Sequence, residues 1–244
     1  MRLAILTGGS RGLGLALHTA LAQQGWQVIE FSRGAPHAGS IQVDLADPAQ
    51  VETVVKPALA RWVDVMGAHT PIDELLVLSN AGVLDPIGPA SRKDAAAVRD
   101  NLQANFTSAI LFMTAVIGQF QTLPCRKVLA SVSSGAALKG YAGWSLYCAA
   151  KAGLENFIRA VAAEQAGEPH PFIAINVDPG VMDTAMQALI RQQSPADFPD
   201  VARFIRRQAD GELRPAHDVA AAILRIVALP DLTGGQRLVA ADHA

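Results

Sequence analysis

Short apolar runs alternate with longer helical patterns along the whole chain, and this alternation narrows the folds that the chain can adopt. The strand-like runs span residues 2–6, 27–32, 40–43, 74–79, 126–132, 172–177 and 236–240. The helical patterns span residues 12–24, 47–66, 92–122, 145–165 and 216–228. Several strand-like runs are apolar at successive positions, as expected for strands that helices cover on both faces. The sequence therefore predicts an α/β fold with a doubly wound parallel sheet of about seven strands.

Composition favours one domain over residues 1–244 and gives no sign of a charged macromolecular partner. Half of the residues are hydrophobic and 17% are charged, which is enough apolar material for one large core. The net charge of −2 provides no electrostatic reason to expect nucleic acid or an anionic membrane as a partner. No apolar run approaches the roughly 18 residues of a membrane span. The first strand begins beside Met1, so we expect no signal peptide and a cytoplasmic protein.

Cysteine and histidine usage predicts neither a disulfide framework nor a metal site. The chain has two cysteines, Cys125 and Cys148, and six histidines, and none of them has the spacing of metal ligands. One segment, residues 183–214, is a long connection that carries several prolines and a short helical pattern. Long connections inside a domain are usually functional or disordered. We predict a substrate-binding lid for this segment, with a purely structural excursion as the alternative.

A glycine-rich loop joins the first predicted strand to the first predicted helix. Glycines at this place let the backbone turn sharply and approach a pyrophosphate, which the free N–H groups of the helix N-terminus can bind. An ordinary strand-to-helix turn is the alternative. The strand before the loop and the helix after it favour a Rossmann-type dinucleotide site. The predicted contacts in the loop are Thr7, Gly8, Ser10, Arg11, Gly12, Leu13 and Gly14.

The end of the second predicted strand favours NADP(H) over NAD(H). NAD sites commonly place an acidic residue there to bind the ribose 2′-hydroxyl. Here the strand ends in Ser32 and Arg33, and alternation places Glu30 one step deeper on the face of Ser32. Arg33 and Arg11 can form a fork around a 2′-phosphate. The alternative is that both arginines are merely solvated.

Tyr147 and Lys151 are the strongest candidates for acid–base chemistry. They stand at positions i and i+4 of a predicted helix and therefore share one face. A neighbouring ammonium lowers the pKa of a phenol, so we expect Lys151 to bring the pKa of Tyr147 towards the useful range. Ser134 ends a strand-like run thirteen residues earlier, where its hydroxyl can hold a carbonyl oxygen, and Ser133 is the neighbouring alternative.

Taken together, these motifs resemble the short-chain dehydrogenase/reductase family from residue 3 to about residue 184. The matching elements are Thr7-Gly8-xxx-Gly12-x-Gly14, Asn80-Ala81-Gly82, Ser134, Tyr147-xxx-Lys151 and Pro179-Gly180. The resemblance implies that the hydroxyls of Ser134 and Tyr147 bind the carbonyl, that Tyr147 donates the proton and that Lys151 supports it. It assigns Asn105 to a helix kink that holds a relay water, with Asn101 as the less favoured candidate. Ser79 departs from the family pattern, which usually has asparagine there.

The same resemblance assigns further cofactor contacts and an assembly. The implied contacts are Asp44, Leu45, Asn80, Ala81, Gly82, Tyr147, Lys151, Pro179, Gly180, Val181 and Thr184, besides the loop residues, Ser32 and Arg33. Helices 100–122 and 145–165 would form a four-helix interface of a homodimer. A tetramer is also open, although the chain ends without the glycine-rich tail that is usual in the family.

The predicted substrate residues are apolar or aromatic, which suits a ketone that carries bulky apolar groups. They are Leu138, Tyr141, Trp144, Met182 and Met186, and Phe198 and Phe204 can close over them from the lid. A position in the core or in a dimer interface is the alternative for each of them. Within the family, the stretches around Ser134, Tyr147 and Pro179 look most like bacterial benzil reductases, which are themselves similar to sepiapterin reductase.

The predicted function is therefore NADPH-dependent reduction of a ketone or diketone, benzil-like or a pterin side-chain carbonyl, to a secondary alcohol. The alternatives are reduction of a 3-oxoacyl thioester and a non-catalytic NADP-binding protein that senses redox state. Non-catalytic binders tend to lose the tyrosine or the lysine, and this chain keeps both.

Overall fold

The computed structural model describes residues 1–64 and 71–243, and a seven-stranded sheet forms its centre. The strands are β1 Arg2–Thr7, β2 Gln27–Ser32, β3 Ser40–Gln42, β4 Glu74–Ser79, β5 Arg126–Val132, β6 Phe172–Asp178 and β7 Arg237–Val239. Their order across the sheet is β3-β2-β1-β4-β5-β6-β7, and every neighbouring pair is parallel. The order reverses at β1, which confirms the doubly wound arrangement predicted from the sequence.

Helices flank the sheet on both faces. They are α1 Gly12–Gln23, α2 Lys56–Trp62, α3 Ala95–Leu102, α4 Ser108–Phe120, α5 Ser145–Gln165, α6 Ala185–Arg191, α7 Val201–Ala209 and α8 Ala216–Val227. A π-helical turn, Gln103–Thr107, divides the helix that was predicted over 92–122. Another, Val51–Val55, precedes α2 within the predicted helix 47–66. The last two residues of that prediction, 65 and 66, lie outside the described residues, as does His69.

The core has two halves because successive strand residues point to opposite faces. On β1, Leu3 and Ile5 pack into the half that α2, α4 and α5 cover. Ala4 and Leu6 pack into the other half, under α1 and α8. All four side chains are fully buried, and each buried leucine or isoleucine contributes about 1.5–3 kcal/mol. This two-sided burial explains why the strand runs are apolar without alternation.

The loop between β6 and α8 folds as a closed excursion rather than as an open tail. Its two ends meet where Met182 pairs with Arg214 in a parallel bridge, and Asp183 N donates to the Arg214 carbonyl at 3.0 Å. The excursion holds α6 and α7. Its first part, including α6, therefore starts beside the carboxyl end of β6, where the strand ends collect.

Membrane-spanning helices and clusters of metal ligands are both absent from the described residues 1–64 and 71–243. Within residues 1–64 and 71–243, no helix combines the length and the apolar character needed to cross a membrane. The same ranges contain no group of three or more His, Cys, Asp or Glu side chains placed to hold a metal ion.

Candidate active site

A cavity of about 1030 Å³ runs along the carboxyl edge of the sheet. This is the edge at which open α/β sheets bind ligands, and the reversal of strand order at β1 opens the crevice there. Most of the predicted cofactor residues line it: Gly8, Ser10, Arg11, Gly12, Leu13, Gly14, Ser32, Arg33, Asp44, Leu45, Asn80, Ala81, Gly82, Tyr147, Lys151, Pro179 and Thr184. Three predicted contacts, Thr7, Gly180 and Val181, are not among the residues that line it. The volume matches a ligand at the large end of the usual range.

The glycine loop has the conformation that close approach to a phosphate requires. Gly8 and Gly12 have φ values of +74° and +54°, in the left-handed region that favours glycine. A Cβ on Gly14 would overlap the carbonyl oxygen of Gly8, so only glycine fits there. The Asn80 amide donates to the carbonyls of Thr7 and Gly8 at 3.1 and 3.2 Å and holds the loop against β4. The N-terminus of α1 therefore faces the cavity with its amide groups free for an anion.

Glu30 braces this loop from below. Its side chain is fully buried and accepts hydrogen bonds from Gly9 N at 2.7 Å and from the Ser40 hydroxyl at 2.5 Å. The carboxylate is therefore engaged with the protein rather than directed at the tip of β2. Sequence reasoning gave Glu30 no role. A glutamate between the apolar residues Ile29 and Phe31 of a strand was the available signal.

Arg11 and Arg33 lie at the rim of the cavity with exposed side chains. In the described part of the chain, no ion pair joins either of them to a carboxylate. The Ser32 hydroxyl accepts from Ala35 N at 3.1 Å and closes the turn that carries Arg33. Two available guanidinium groups beside a strand tip that lacks a carboxylate fit a dinucleotide with a 2′-phosphate.

Helix α5 begins at Ser145 and places Tyr147 and Lys151 side by side against the sheet. Both are buried, with exposed fractions of 8% and 5%. The Lys151 Nζ lies 5.7 Å from the centre of the Tyr147 ring and donates to the Val132 carbonyl at 2.7 Å. The i, i+4 spacing therefore places the two side chains on one face of α5, and both line the cavity.

The proton affinities of these two groups differ from the sequence-based expectation. Burial raises the pKa of Tyr147 to about 12, a hydrogen bond with Ser134 opposes the rise, and the charges of Asp178 and Cys148 add to it. Burial lowers the pKa of Lys151 to about 8, against an attraction to Asp178 that raises it. The largest influence on the Tyr147 pKa is burial, so this pKa lies above its ordinary value, contrary to the lowering expected from the Lys151 ammonium. Tyr147 therefore keeps its proton at neutral pH.

The two serines at the end of β5 have different partners. Ser134 caps the 3₁₀ turn Gly135–Ala137 and accepts from Ala136 N at 3.1 Å; it lies close enough to Tyr147 to lower the phenol pKa, but it is not among the residues that line the cavity. Ser133 lines the cavity, but its hydroxyl donates to the buried Glu155 carboxylate at 2.5 Å. Ser134 is thus the serine that stands beside Tyr147.

Asn105 lies in the π-helical turn between α3 and α4. Its Oδ1 accepts from Val83 N and its Nδ2 donates to the Val83 carbonyl, both at 2.8 Å. These two hydrogen bonds connect the helix to the loop after β4 and use both polar atoms of the Asn105 side chain. Asn101 instead donates to the Asp85 carbonyl at 2.6 Å and lines the cavity.

The predicted substrate residues separate into two groups. Met182 and Met186 line the cavity, together with Leu84, Pro86 and Leu189, which sequence reasoning missed. Leu138 is 64% exposed and lies outside the wall. Asp85 and Asp100 also lie at the wall, as polar groups.

The structure does not bring Trp144 and Tyr141 to the cavity wall. Trp144 is 6% exposed and stacks on Phe198 at 4.5 Å between ring centres, with Phe204 at 5.4 Å. Tyr141 packs on the same indole at 5.1 Å. These rings bury their apolar area against one another, so Phe198 and Phe204 anchor the excursion instead of closing over the cavity.

Comparison with known proteins shows the family. The family model described as short chain dehydrogenase matches residues 2–195. A benzil reductase of Bacillus subtilis, (S)-benzoin forming, is 32% identical over 232 residues, which cover 93% of each chain. The sepiapterin reductase of Meriones unguiculatus is 30% identical over 228 residues, 86% of this chain and 84% of that protein.

A solved structure agrees with this result. The crystal structure of a short chain dehydrogenase from Burkholderia cenocepacia in complex with NADP covers 98% of this chain and 95% of its own, with a TM-score of 0.75 and 26% identity. The resemblance seen in the motifs is thereby confirmed. The chain belongs to the short chain dehydrogenase family of oxidoreductases.

Proposed function

We propose that this enzyme uses NADPH to reduce a ketone or diketone to a secondary alcohol. The observation that carries the proposal is the buried pair Tyr147 and Lys151, with Ser134 beside it, in the same cavity as the glycine loop. The available guanidinium groups of Arg11 and Arg33 support NADP(H) as the cofactor. The Burkholderia relative, solved with NADP, points the same way.

Each residue has a defined part in the reaction. The reduced dinucleotide supplies the hydride. The α1 N-terminus would hold the pyrophosphate of the bound dinucleotide, and Arg11 and Arg33 would hold its 2′-phosphate. The Ser134 and Tyr147 hydroxyls orient the carbonyl oxygen, and the Tyr147 proton passes to that oxygen as the carbonyl carbon gains the hydride. The Lys151 ammonium stabilises the phenolate that Tyr147 leaves until it regains a proton.

The wall of the substrate end favours a ketone with apolar substituents. Met182, Met186 and Leu189 lie there with Leu84, and an apolar wall with few anchors binds bulky apolar groups. The benzil and sepiapterin reductases among the relatives support an aromatic diketone or a pterin side-chain carbonyl. We propose that α6, the part of segment 183–214 that carries Met186 and Leu189, is its lid portion.

We also propose a homodimer through α4 and α5. Half-buried apolar side chains of these helices, among them Ile110, Leu111 and Phe157, support an interface. Light scattering is expected to give twice the chain mass of 25.6 kDa; the mass of one chain would contradict the dimer, and four times that mass would indicate the tetramer. A cytoplasmic location stays a prediction.

Steady-state assays test the function and the cofactor together. Absorbance at 340 nm is followed with NADPH and with NADH, in the presence of benzil, a pterin ketone and a 3-oxoacyl thioester. We expect turnover of benzil that prefers NADPH, and a loss of roughly 100-fold or more in Tyr147→Phe, since general acid catalysis contributes that much.

Arginine variants give the cofactor assay its control. Arg33→Ala and Arg11→Ala are expected to weaken NADPH binding roughly tenfold or more and to leave NADH unchanged, because each loses a charge-assisted hydrogen bond. Arg203→Ala, an exposed arginine on α7 away from the cavity, is the matched control. A wild-type preference for NADH would contradict the arginine assignment. Cofactor binding without turnover of any carbonyl would favour the non-catalytic alternative.

A further inference from the structure

A partly buried network of ionic hydrogen bonds lies next to the proposed catalytic pair. Glu155 follows Tyr147 and Lys151 by eight and four residues, so all three share one face of α5. Its carboxylate is 2% exposed and accepts from Arg237 Nε at 2.8 Å and from Arg159 Nη2 at 2.9 Å. Arg237 also donates from Nη2 to Asp178 Oδ2 at 2.6 Å. One guanidinium from β7 thus joins carboxylates from α5 and β6.

Both ends of this hydrogen-bond network reach the candidate active site. Glu155 accepts the Ser133 hydroxyl at 2.5 Å, and Ser133 lies between Val132, whose carbonyl holds Lys151, and Ser134. At the other end, Asp178 Oδ1 accepts from Gly180 N at 2.9 Å and shapes the loop that leads to Thr184.

Arg237 itself does not line the cavity, so it touches neither substrate nor cofactor there. We propose that Arg237 is a positioning residue: by bridging Asp178 and Glu155 it fixes the β5 serines and the loop after β6, and it shares the negative charge that faces Lys151. This inference rests on the proposed function. Arg237 belongs to none of the sequence motifs described above and is the first residue of the short strand β7.

The charge balance supports a bridging role over a simple structural one. Burial lowers the pKa of the Arg237 guanidinium, but the hydrogen bonds to Glu155 and Asp178 outweigh this and leave it raised, so the group stays charged. Asp178 attracts the Lys151 ammonium and disfavours ionisation of Tyr147. Removal of Arg237 leaves Asp178 with an unshared charge, whereas removal of the Asp178 charge takes the attraction away. The two changes must therefore act on Lys151 in opposite directions.

Apart from Asp178 and Arg237 themselves, the titratable groups near Tyr147 and Lys151 are the same in Asp178→Asn and Arg237→Gln. The charged or titratable groups that act on Tyr147 and Lys151 or on their partners are Asp178 from β6, Arg237 from β7 through Asp178, and Cys148 and Glu155 from α5. Asp85 from the loop after β4 and Asp100 from α3 line the same cavity. Strand β5 brings only the hydroxyls of Ser133 and Ser134.

The test is a direct titration of Lys151 in the cofactor-free protein. The chain has only five lysines, Lys56, Lys93, Lys127, Lys139 and Lys151, so carbon-13 labelling of lysine side chains gives few NMR signals, and Lys151→Met identifies the one of interest. We expect Asp178→Asn to lower the pKa of Lys151 and Arg237→Gln to raise it. Arg237→Lys keeps the charge and is expected to keep the wild-type titration.

Kinetics complete the test. Arg237→Gln and Arg237→Lys are expected to lower kcat for ketone reduction roughly 10- to 100-fold with little change in KM, because a displaced catalytic group costs that much and an ammonium cannot bridge two carboxylates as a guanidinium fork does. The control is Arg126→Gln, a half-buried arginine paired with Glu74 at the opposite edge of the sheet, which should change neither the titration nor kcat.

The proposal would be overturned if the pKa of Lys151 shifted in the same direction in Asp178→Asn and Arg237→Gln, or if it shifted in neither variant. If Arg237→Gln does not fold, the proposal is tested by the two other variants. It requires an unchanged Lys151 titration in Arg237→Lys and a lowered pKa of Lys151 in Asp178→Asn. Absence of ketone turnover in the wild type would instead contradict the proposed function, while the Lys151 titration would still be readable.

Discussion

Among single residues, burial shifts the pKa values of Tyr147 and Lys151 more strongly than the neighbouring charges do. Tyr147 and Lys151 both favour their neutral forms relative to water, with pKa values of about 12 and about 8. Tyr147 thus holds a proton over the physiological range, and Lys151 is still mostly an ammonium at pH 7. These protonation states are the ones that the proposed ketone reduction requires, because that reaction needs a proton donor.

A pH profile follows from the depressed pKa of Lys151. A lysine whose folded pKa is lowered keeps its charge below that pKa and loses it as pH rises through it, so kcat/KM for reduction should fall above about pH 8. The measurement is kcat/KM with benzil and NADPH between pH 6 and about pH 10, since kcat/KM reports the free enzyme. A profile that stays level through pH 9.5 would contradict a role for the Lys151 ammonium.

The residues that sequence spacing could predict are those whose partners are close in the chain. Tyr147 and Lys151 are one helical turn apart, and the glycine loop is contiguous, so local geometry determines both. Glu155, Asp178 and Arg237 meet from α5, β6 and β7, across 82 residues between Glu155 and Arg237. No spacing rule predicts such a contact, although a glutamate on the Tyr147–Lys151 face was a visible signal.

Among the elements, segment 183–214 divides into a part that meets the cavity and a part that belongs to the core. α6 brings Met186 and Leu189 to the cavity wall. Phe198 and Phe204, the latter on α7, pack on Trp144 and hold the excursion in place. Residue type alone could not separate these groups, because methionine and tryptophan suit a substrate wall and a core equally.

Two substitutions distinguish the residues that line the cavity from those that belong to the core. Trp144→Ala is expected to lower the free energy of unfolding by about 3–5 kcal/mol, since it leaves a cavity in a packed aromatic cluster. Met186→Ala should raise KM for a bulky diketone several-fold and cost less stability, because Met186 is only half buried. Urea unfolding and benzil kinetics on both variants check this. A Trp144→Ala protein with wild-type stability and a raised KM would place the indole at the substrate instead.

For the molecule as a whole, one topological property assembles the site. Parallel strands end at one edge, so the loops after β1, β4, β5 and β6 meet there although they are far apart in sequence. This is why strand–helix alternation and a few motifs predicted the fold and the place of the site. The lengths of the short edge strands and the ion network of Glu155, Arg237 and Asp178 depend on side-chain packing between distant elements. The alternation of strands and helices does not encode that packing.

Transfer of the hydride itself tests the central claim most directly. The wild-type enzyme is given NADPH that carries deuterium at both C4 positions of the nicotinamide, with benzil as acceptor, and the product is analysed by mass spectrometry. The account predicts benzoin with one deuterium on the carbinol carbon, and almost none from Tyr147→Phe at equal cofactor binding. Bound NADPH that never passes its deuterium to benzil or to any other carbonyl offered would contradict the account.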